Sequence, residues 1–229
     1  MTIVSQIISN FSFSKARQAQ LQLAKRVIHD DVLPKKIRHI AGVDVAYSKD
    51  LSVGAVAVLD YTTLKAVESQ IAFCKTRFPY VPTFLSFRET PPIVLAIKNL
   101  CLEPDVFLVD GHGRAHPRRC GLASYLGIVV GKPTIGVAKR GLIGRIEDTR
   151  KQAVKLLKDK DEIIGAVITT DRGSRPVYVS TGHMVSLETA IKIIKHCSVD
   201  DRIPKPILAA HRIATAARRK INVDYVGSR

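Results

Sequence analysis

No Cys-x-x-Cys pair occurs in this chain; its four cysteines, Cys74, Cys101, Cys120 and Cys197, stand far apart. That spacing argues against a zinc site or a disulfide framework and fits reduced, mostly buried thiols. The first residues, Met-Thr-Ile-Val-Ser-Gln, lack the basic region and apolar run of a secretory signal, and no stretch is long and apolar enough to span a bilayer. The expectation is a soluble, cytoplasmic protein without a membrane partner. Repeats and low-complexity segments are missing as well. No Gly-rich loop ends in Lys-Ser or Lys-Thr, which argues against nucleotide-driven chemistry, and there is no Gly-x-Ser-x-Gly nucleophile elbow. Acidic residues are scarce: 20 Asp and Glu stand against 36 Lys and Arg, a formal charge of +16 with a pI near 9.9. Such an excess attracts polyanions, nucleic acid above all, although a basic soluble protein with no such partner has the same balance. With 229 residues, residues 1–229 are expected to form a single monomeric domain with a substantial core and a basic, frayed tail from about residue 220.

What is present is organised around Pro104-Asp105-Val106-Phe107-Leu108-Val109-Asp110-Gly111-His112-Gly113. The apolar run to Val109 reads as a buried strand that ends on a carboxylate, Asp110. Gly111 and Gly113 allow positive φ and close approach of backbone to a ligand. His112, Arg114, His116 and Arg118 follow as four potentially cationic side chains. The bland alternative for Asp110 is the N-cap of a helix opening after Pro117.

Along the chain, Ser14 is expected to cap a helix reaching about Asp30. Lys35, Lys36, Arg38 and His39 form a basic approach that is more often solvated surface than phosphate contact. Residues 40–47, 53–59 and 64–73 read as three strands in an antiparallel meander. Asp44 lies inside the first of them, where a lone carboxylate is costly and requires a cation, a metal or strong donors. Pro79 and Pro82 stiffen a loop around Tyr80, suited to stacking on a base or to packing on its own domain. A helix is expected to open at Pro91-Pro92 and run to about Leu100, which leaves Glu89 near its N-terminus, where dipole compensation is the ordinary role. Then follow a helix over 119–127, a strand over 133–137 with Lys139 just past its end, and a helix over 147–159. A hairpin (163–169 and 177–180), a helix capped by Ser186 and a last helix over 207–219 complete the reading. His211 lies on the inward face of that last helix and could be an ordinary core histidine. The alternation of helix and strand after residue 90 predicts parallel βαβ units, whose carboxyl ends are where ligands bind.

Asp44, Glu89 and Asp110, with His211, provide hard oxygen donors plus an imidazole and no thiolate, a set that suits Mg²⁺ or Mn²⁺ better than zinc. Carboxylates around a hard cation, beside lysine and arginine, suit in-line attack on a phosphodiester.

Four segments resemble the endonuclease V family in family order. They are Gly42-Val43-Asp44-Val45-Ala46-Tyr47; Pro79-Tyr80-Val81-Pro82 with Leu85-Ser86-Phe87-Arg88-Glu89; Asp110-Gly111-His112-Gly113 with His116-Pro117-Arg118; and Gly136-Val137-Ala138-Lys139. The resemblance covers about residues 40–140 and extends more weakly to about 220. It implies an α/β ribonuclease H-like mixed sheet, an antiparallel three-strand meander followed by parallel strands, flanked by helices. It also implies a DNA repair endonuclease that recognises deoxyinosine and hydrolyses the second phosphodiester 3′ to it, leaving 5′-phosphate and 3′-hydroxyl ends. Action on inosine in RNA is the close alternative, and a lesion-binding module without turnover the distant one. Asp44, Glu89 and Asp110 would be ligands of Mg²⁺, with Mn²⁺ as substitute; His211 would attend the attacking water; Lys139 and His116 would sit by the scissile phosphate. Tyr80, flanked by Pro79 and Pro82, would be the wedge. Gly111, Gly113, Gly121, Leu122, Leu85 and Leu142 would line the base pocket, with Arg88 nearby on the nucleic-acid side. Two departures from the family pattern stand out. Thr83 occupies a position where many members carry glycine, and Pro206-Ile207-Leu208 replaces a frequent Pro-Thr-Arg.

Overall fold

The computed structural model describes residues 12–147, 153–169, 175–198 and 201–226. Among them the strands join in one nine-stranded mixed sheet. Strands β1 (His39–Ser48), β2 (Leu51–Asp60) and β3 (Ala66–Lys75) form the antiparallel meander, closed between β2 and β3 by an Asp60 side chain that accepts from the backbone N–H of Thr63 at 2.7 Å. Strands β4 (Val106–Asp110) and β5 (Thr134–Ala138) continue parallel to β1. Strand β9 (Val177–His183) then lies antiparallel between β5 and β8 (Glu162–Ile168), and β7 (Val154–Asp159) and β6 (Arg145–Ile146) complete that side.

Five helices flank the sheet among the described residues. Helices α2 (Leu85–Lys98) and α3 (Leu122–Val130) bury Ile93, Ala96, Leu122 and Leu126 against Val43, Val56, Phe107 and Val109 on one face. Helices α4 (Leu187–Cys197) and α5 (Lys205–Val226) bury Ile193, Ile194 and Ile207 against Ile40, Leu108, Ile135 and Val137 on the other. The alternation of these strand residues between two faces is the period-two signature of a sheet covered on both sides. Helix α1 (Phe13–Ala24) lies apart, its Ala16 packed with Phe78 and Phe84.

Several boundaries differ from the sequence reading. Helix α1 is capped by Ser12, not Ser14, and stops at Ala24 because the following chain is drawn to β9. There the N–H of Val32 donates to the Met184 carbonyl at 3.1 Å, and the N–H of Met184 to the Ile28 carbonyl at 2.7 Å. Helix α2 opens at Leu85, six residues before Pro91-Pro92, so both prolines lie inside it and Glu89 is its fifth residue, past the first turn. The expected helix over 147–159 is a strand where it can be seen: Val154–Asp159 pair with β8, and residues 148–152 lie outside the described residues. Its Val154-Lys155-Leu156-Leu157 run fits either period, and pairing with β8 decides. The last helix begins at Lys205 and continues to Val226, so most of the tail expected to fray is helical, with 227–229 outside the described residues. The turn of the β8–β9 hairpin likewise falls outside them, over 170–174.

Candidate active site

The parallel pairing of β1 with β4 ends at Val43↔Val109, so β1 runs on past its neighbour and Asp44 comes level with Asp110 at the strand's carboxyl end. That removes the puzzle of a carboxylate inside a central strand: Asp44 lies where the ladder on one side has stopped. Asp110 is in register with Val137 of β5, and Lys139 follows two residues later on the same face. Its Nζ donates to Asp110 Oδ2 at 2.7 Å.

The other side of the site is set by a close backbone approach. A Cβ on Gly42 would lie 2.0 Å from the Pro206 carbonyl oxygen, so only glycine lets the first turn of α5 rest on β1. Asp44 points to the same face two residues on, and His211 lies a turn and a half along α5. Its Nδ1 meets Asp44 Oδ2 at 2.7 Å. His211 is therefore an exposed residue at the acid edge and not a core histidine.

Glu89 arrives from α2 on the opposite face. The Tyr47 hydroxyl donates to its Oε1 at 3.3 Å, and the Arg88 guanidinium lies 4.1 Å from the Tyr47 ring centroid. Burial pushes the Glu89 carboxyl up to about 8, and the charges of Asp44 and Asp110 push the same way. Asp44 is raised too, by burial and then by Asp110, against the His211 hydrogen bond that lowers it. Burial, and then the charge of the neighbouring acids, thus makes Glu89 and Asp44 harder to ionise than free carboxyl groups. Among the described residues no three His, Cys, Asp or Glu side chains stand as a ready-made ligand cluster; Asp110 is instead tied to Lys139 and Asp44 to His211. The donor set nevertheless fits a hard divalent cation, which would supply the charge that two raised carboxyl groups lack.

Beside the acid edge a cavity of about 240 Å³ opens, lined by Tyr80, Pro82, Leu85, Gly111, Leu122 and Leu142, with Gln20 and Thr83 also in its wall. Gly111 follows Asp110 directly, so cavity and carboxylates share a wall. The volume falls below the range of drug-sized pockets and suits a single planar heterocycle. Tyr80 is 69% exposed at its rim. Gly121 also lines it; there a Cβ would lie 2.2 Å from the His112 carbonyl oxygen, where the loop folds against the start of α3.

Other expected site residues lie elsewhere. Gly113 is packed on β9, its N–H donating to Ser180 Oγ at 2.9 Å, and it does not line the cavity. Neither Gly111 nor Gly113 adopts positive φ; the demand at Gly113 is closeness to the Thr181 carbonyl. Pro79 and Arg88 also lie off the cavity wall; Arg88 Nη1 holds the Phe78 carbonyl at 2.5 Å, beneath the Tyr80 loop. His116 does line the cavity, but both ring nitrogens are engaged: Nε2–H donates to the Thr83 carbonyl at 2.9 Å, and Nδ1 accepts from the Arg118 N–H at 3.2 Å. Burial depresses it to about 4, so it is a neutral prop under the loop. Of the cationic side chains behind Asp110, Arg114 is likewise committed to Glu162 at 2.5 Å and Arg118 to Gln20 at 2.6 Å, whereas the buried Nδ1 of His112 has no hydrogen-bond partner. Asp110 does not cap the following helix; Gly121 does. Gln20 and Tyr47 escaped the sequence reading because a single amide in an amphipathic helix and a tyrosine in a strand carry no spacing signal.

A nine-stranded mixed sheet of this order, with acids and a lysine at the carboxyl edge of its parallel strands, is a ribonuclease H-like fold, a fold of nucleases. The family model for Endonuclease V matches residues 21–212. The chain belongs to the endonuclease V family and is a phosphodiester hydrolase of the deoxyribonuclease V type. It is 43% identical over 217 residues to an endonuclease V of Thermofilum pendens, covering 94% of this chain and 93% of the relative. The crystal structure of endonuclease V from Streptomyces avermitilis superposes with a TM-score of 0.86 at 37% identity, covering 92% of this chain and 95% of that one. An endonuclease V of Ciona intestinalis, crystallised with a 23-mer DNA containing an inosine followed by a ribo-adenosine, superposes with a TM-score of 0.81 at 33% identity, covering 91% and 97%. No described helix is long and apolar enough to cross a membrane.

Proposed function

We propose that this chain is a Mg²⁺-dependent endonuclease that rotates a deoxyinosine base out of DNA into the cavity beside Asp110 and cuts the second phosphodiester 3′ to it. The observation that carries the reading is the shared wall: the residue after Asp110 lines a base-sized cavity, and the same carboxylate belongs to the coupled trio. The inosine-bearing DNA on the Ciona relative supports the substrate class. Asp44, Glu89 and Asp110 would hold the cation, and Mn²⁺ would substitute for it. When bound, such an ion supplies a Lewis acid that lowers the pKa of water and offsets charge on the phosphate oxygens.

The chain's own residues do the rest. His211, on Asp44 through Nδ1, presents its other ring nitrogen outward, where it orients or deprotonates the attacking water. Lys139, whose Nζ donates to Asp110 Oδ2 at 2.7 Å, would turn to the scissile phosphate if Asp110 held a cation. Tyr80 fills the gap left in the base stack, and Leu85, Leu122 and the backbone around Gly111 enclose the rotated base.

The test uses end-labelled DNA and RNA strands of one sequence, each with a single inosine, incubated with Mg²⁺ or with EDTA. Cleavage of the DNA strand with Mg²⁺ alone is expected, and Asp110→Ala lowers it by about a thousandfold or more while inosine binding persists. Equal cutting by Asp110→Ala would refute the site. Preferential cutting of the RNA strand would move the substrate from DNA to RNA and leave the site standing.

A further inference from the structure

The loop that carries Tyr80 is held from beneath by side chains that none of the proposed chemistry uses. Val81-Pro82-Thr83-Phe84 closes a β-turn in which the N–H of Phe84 donates to the Val81 carbonyl at 3.0 Å. Pro82 at the second position is confined to negative φ, and Thr83 at the third has φ +68°. That combination is a type II turn, which favours glycine at its third position because side chains are strained there. Threonine is thus an unfavourable residue in a turn that sets the exposed wedge.

Three donors converge on the Thr83 carbonyl: Gln20 Nε2 at 3.0 Å, His116 Nε2 at 2.9 Å and Arg118 Nη2 at 3.0 Å. Arg118 Nη2 also reaches Thr83 Oγ1 at 2.6 Å, a bond no glycine could offer. The guanidinium is aimed by Gln20, whose Oε1 accepts from Arg118 Nε at 2.6 Å. Gln20 is fully buried although most of its helix is exposed, and its amide further reaches the Cys120 carbonyl at 3.3 Å and Ser86 Oγ at 3.4 Å. One amide therefore ties α1 to the wedge turn, to the start of α2 and to the segment before α3. All three border the cavity.

We propose that Gln20 is a positioning residue that, through Arg118 and Thr83, locks the wedge turn and so sets how well Tyr80 and the cavity select the rotated base. The inference rests on the inosine reading above. It also accounts for Thr83: the hydroxyl that a glycine lacks gives Arg118 a second hold on a turn that threonine would otherwise strain. Gln20 borders the cavity, but both ends of its amide are spent on Thr83, Ser86, Cys120 and Arg118 and it does not touch the carboxylates, so its loss acts on recognition through the turn and leaves the chemical step intact.

The test uses the full chain with Mg²⁺ and a duplex carrying inosine with 2-aminopurine as its 3′ neighbour, with adenine in place of inosine as control. Gln20→Met keeps the volume and removes every polar group; Thr83→Val keeps the branched shape and removes the hydroxyl. Gln20→Met is expected to lose about tenfold in inosine-over-adenine selectivity, carried by KM with kcat preserved, and to blunt the 2-aminopurine fluorescence rise. Thr83→Val moves the same way by about threefold, and the double variant is no worse than Gln20→Met because both act through Arg118. A Gln20→Met protein that melts earlier yet keeps parental KM, selectivity and fluorescence overturns the proposal, since a merely structural amide predicts that result. If Gln20→Met does not fold, Thr83→Val decides alone, and parental behaviour there overturns it equally. A parental chain that leaves the inosine strand uncut sinks the proposed function and this inference with it; cutting by the parent alongside unchanged variants sinks only the inference.

Discussion

Glu89 shows how a single residue couples folding, metal and pH. Its carboxyl titrates at about 8 against an ordinary 4.5, so between those values the folded state holds a proton that the unfolded state has lost. Stability without metal therefore falls as pH rises from 4.5 to 8 and levels off above. A divalent cation held by Glu89, as proposed, would expel that proton, so Mg²⁺ affinity should rise over the same window. Thermal melts in EDTA from pH 5 to 9 should show this decline, and Glu89→Gln should flatten it; a slope that survives the substitution would mean another group is responsible. Tyr80 answers to a different measurement. Stacking of an aromatic ring on bases contributes about 1–3 kcal/mol, so Tyr80→Ala should weaken inosine preference about tenfold or more while leaving melting unchanged, because the ring is exposed.

At the scale of elements, the site depends on how closely helices approach strands. Gly42 lets α5 rest on β1, and a methyl there would lie 2.0 Å from the Pro206 carbonyl oxygen. Gly42→Ala should therefore push α5 outward, cost about 1–3 kcal/mol in urea unfolding, and part His211 from Asp44 with loss of cleavage. Unchanged stability would show that α5 is not seated as described. The same residues mark what was legible in the sequence. Asp44 and Asp110 stood out because a carboxylate at the end of, or inside, an apolar strand has few ordinary explanations. The meander, the parallel pair and the helices over β1, β4 and β5 followed from apolar period and short links. The strand over Val154–Asp159 did not, since its short apolar run fits a helix as well, and its partner β8 is what decides. The start of α2 was hidden because Pro91-Pro92 is the strongest helix-opening signal nearby, yet tertiary packing begins the helix at Leu85. The His116, Arg118 and Gln20 network could not be read from spacing at all: it joins residues 20, 83 and 116–118, and only the fold brings them together.

For the whole molecule, a formal charge of +16 supplies attraction that no single contact accounts for. Each phosphate neutralised adds about −0.9 to the slope of log affinity against log salt. Binding to an inosine duplex should weaken steeply between about 50 and 200 mM salt, and undamaged DNA of the same length should show a similar slope, because this term is blind to sequence. Fluorescence anisotropy over a salt series checks it, and a flat response would remove the polyanion from the account. The claim on which the rest depends is that residues from β1, α2 and β4 share one hard cation. Anomalous diffraction from crystals grown with Mn²⁺ addresses it directly. A peak bonded to carboxylate oxygens of Asp44, Glu89 and Asp110 is the predicted result, and an ion bound elsewhere with those three side chains left unligated would contradict it.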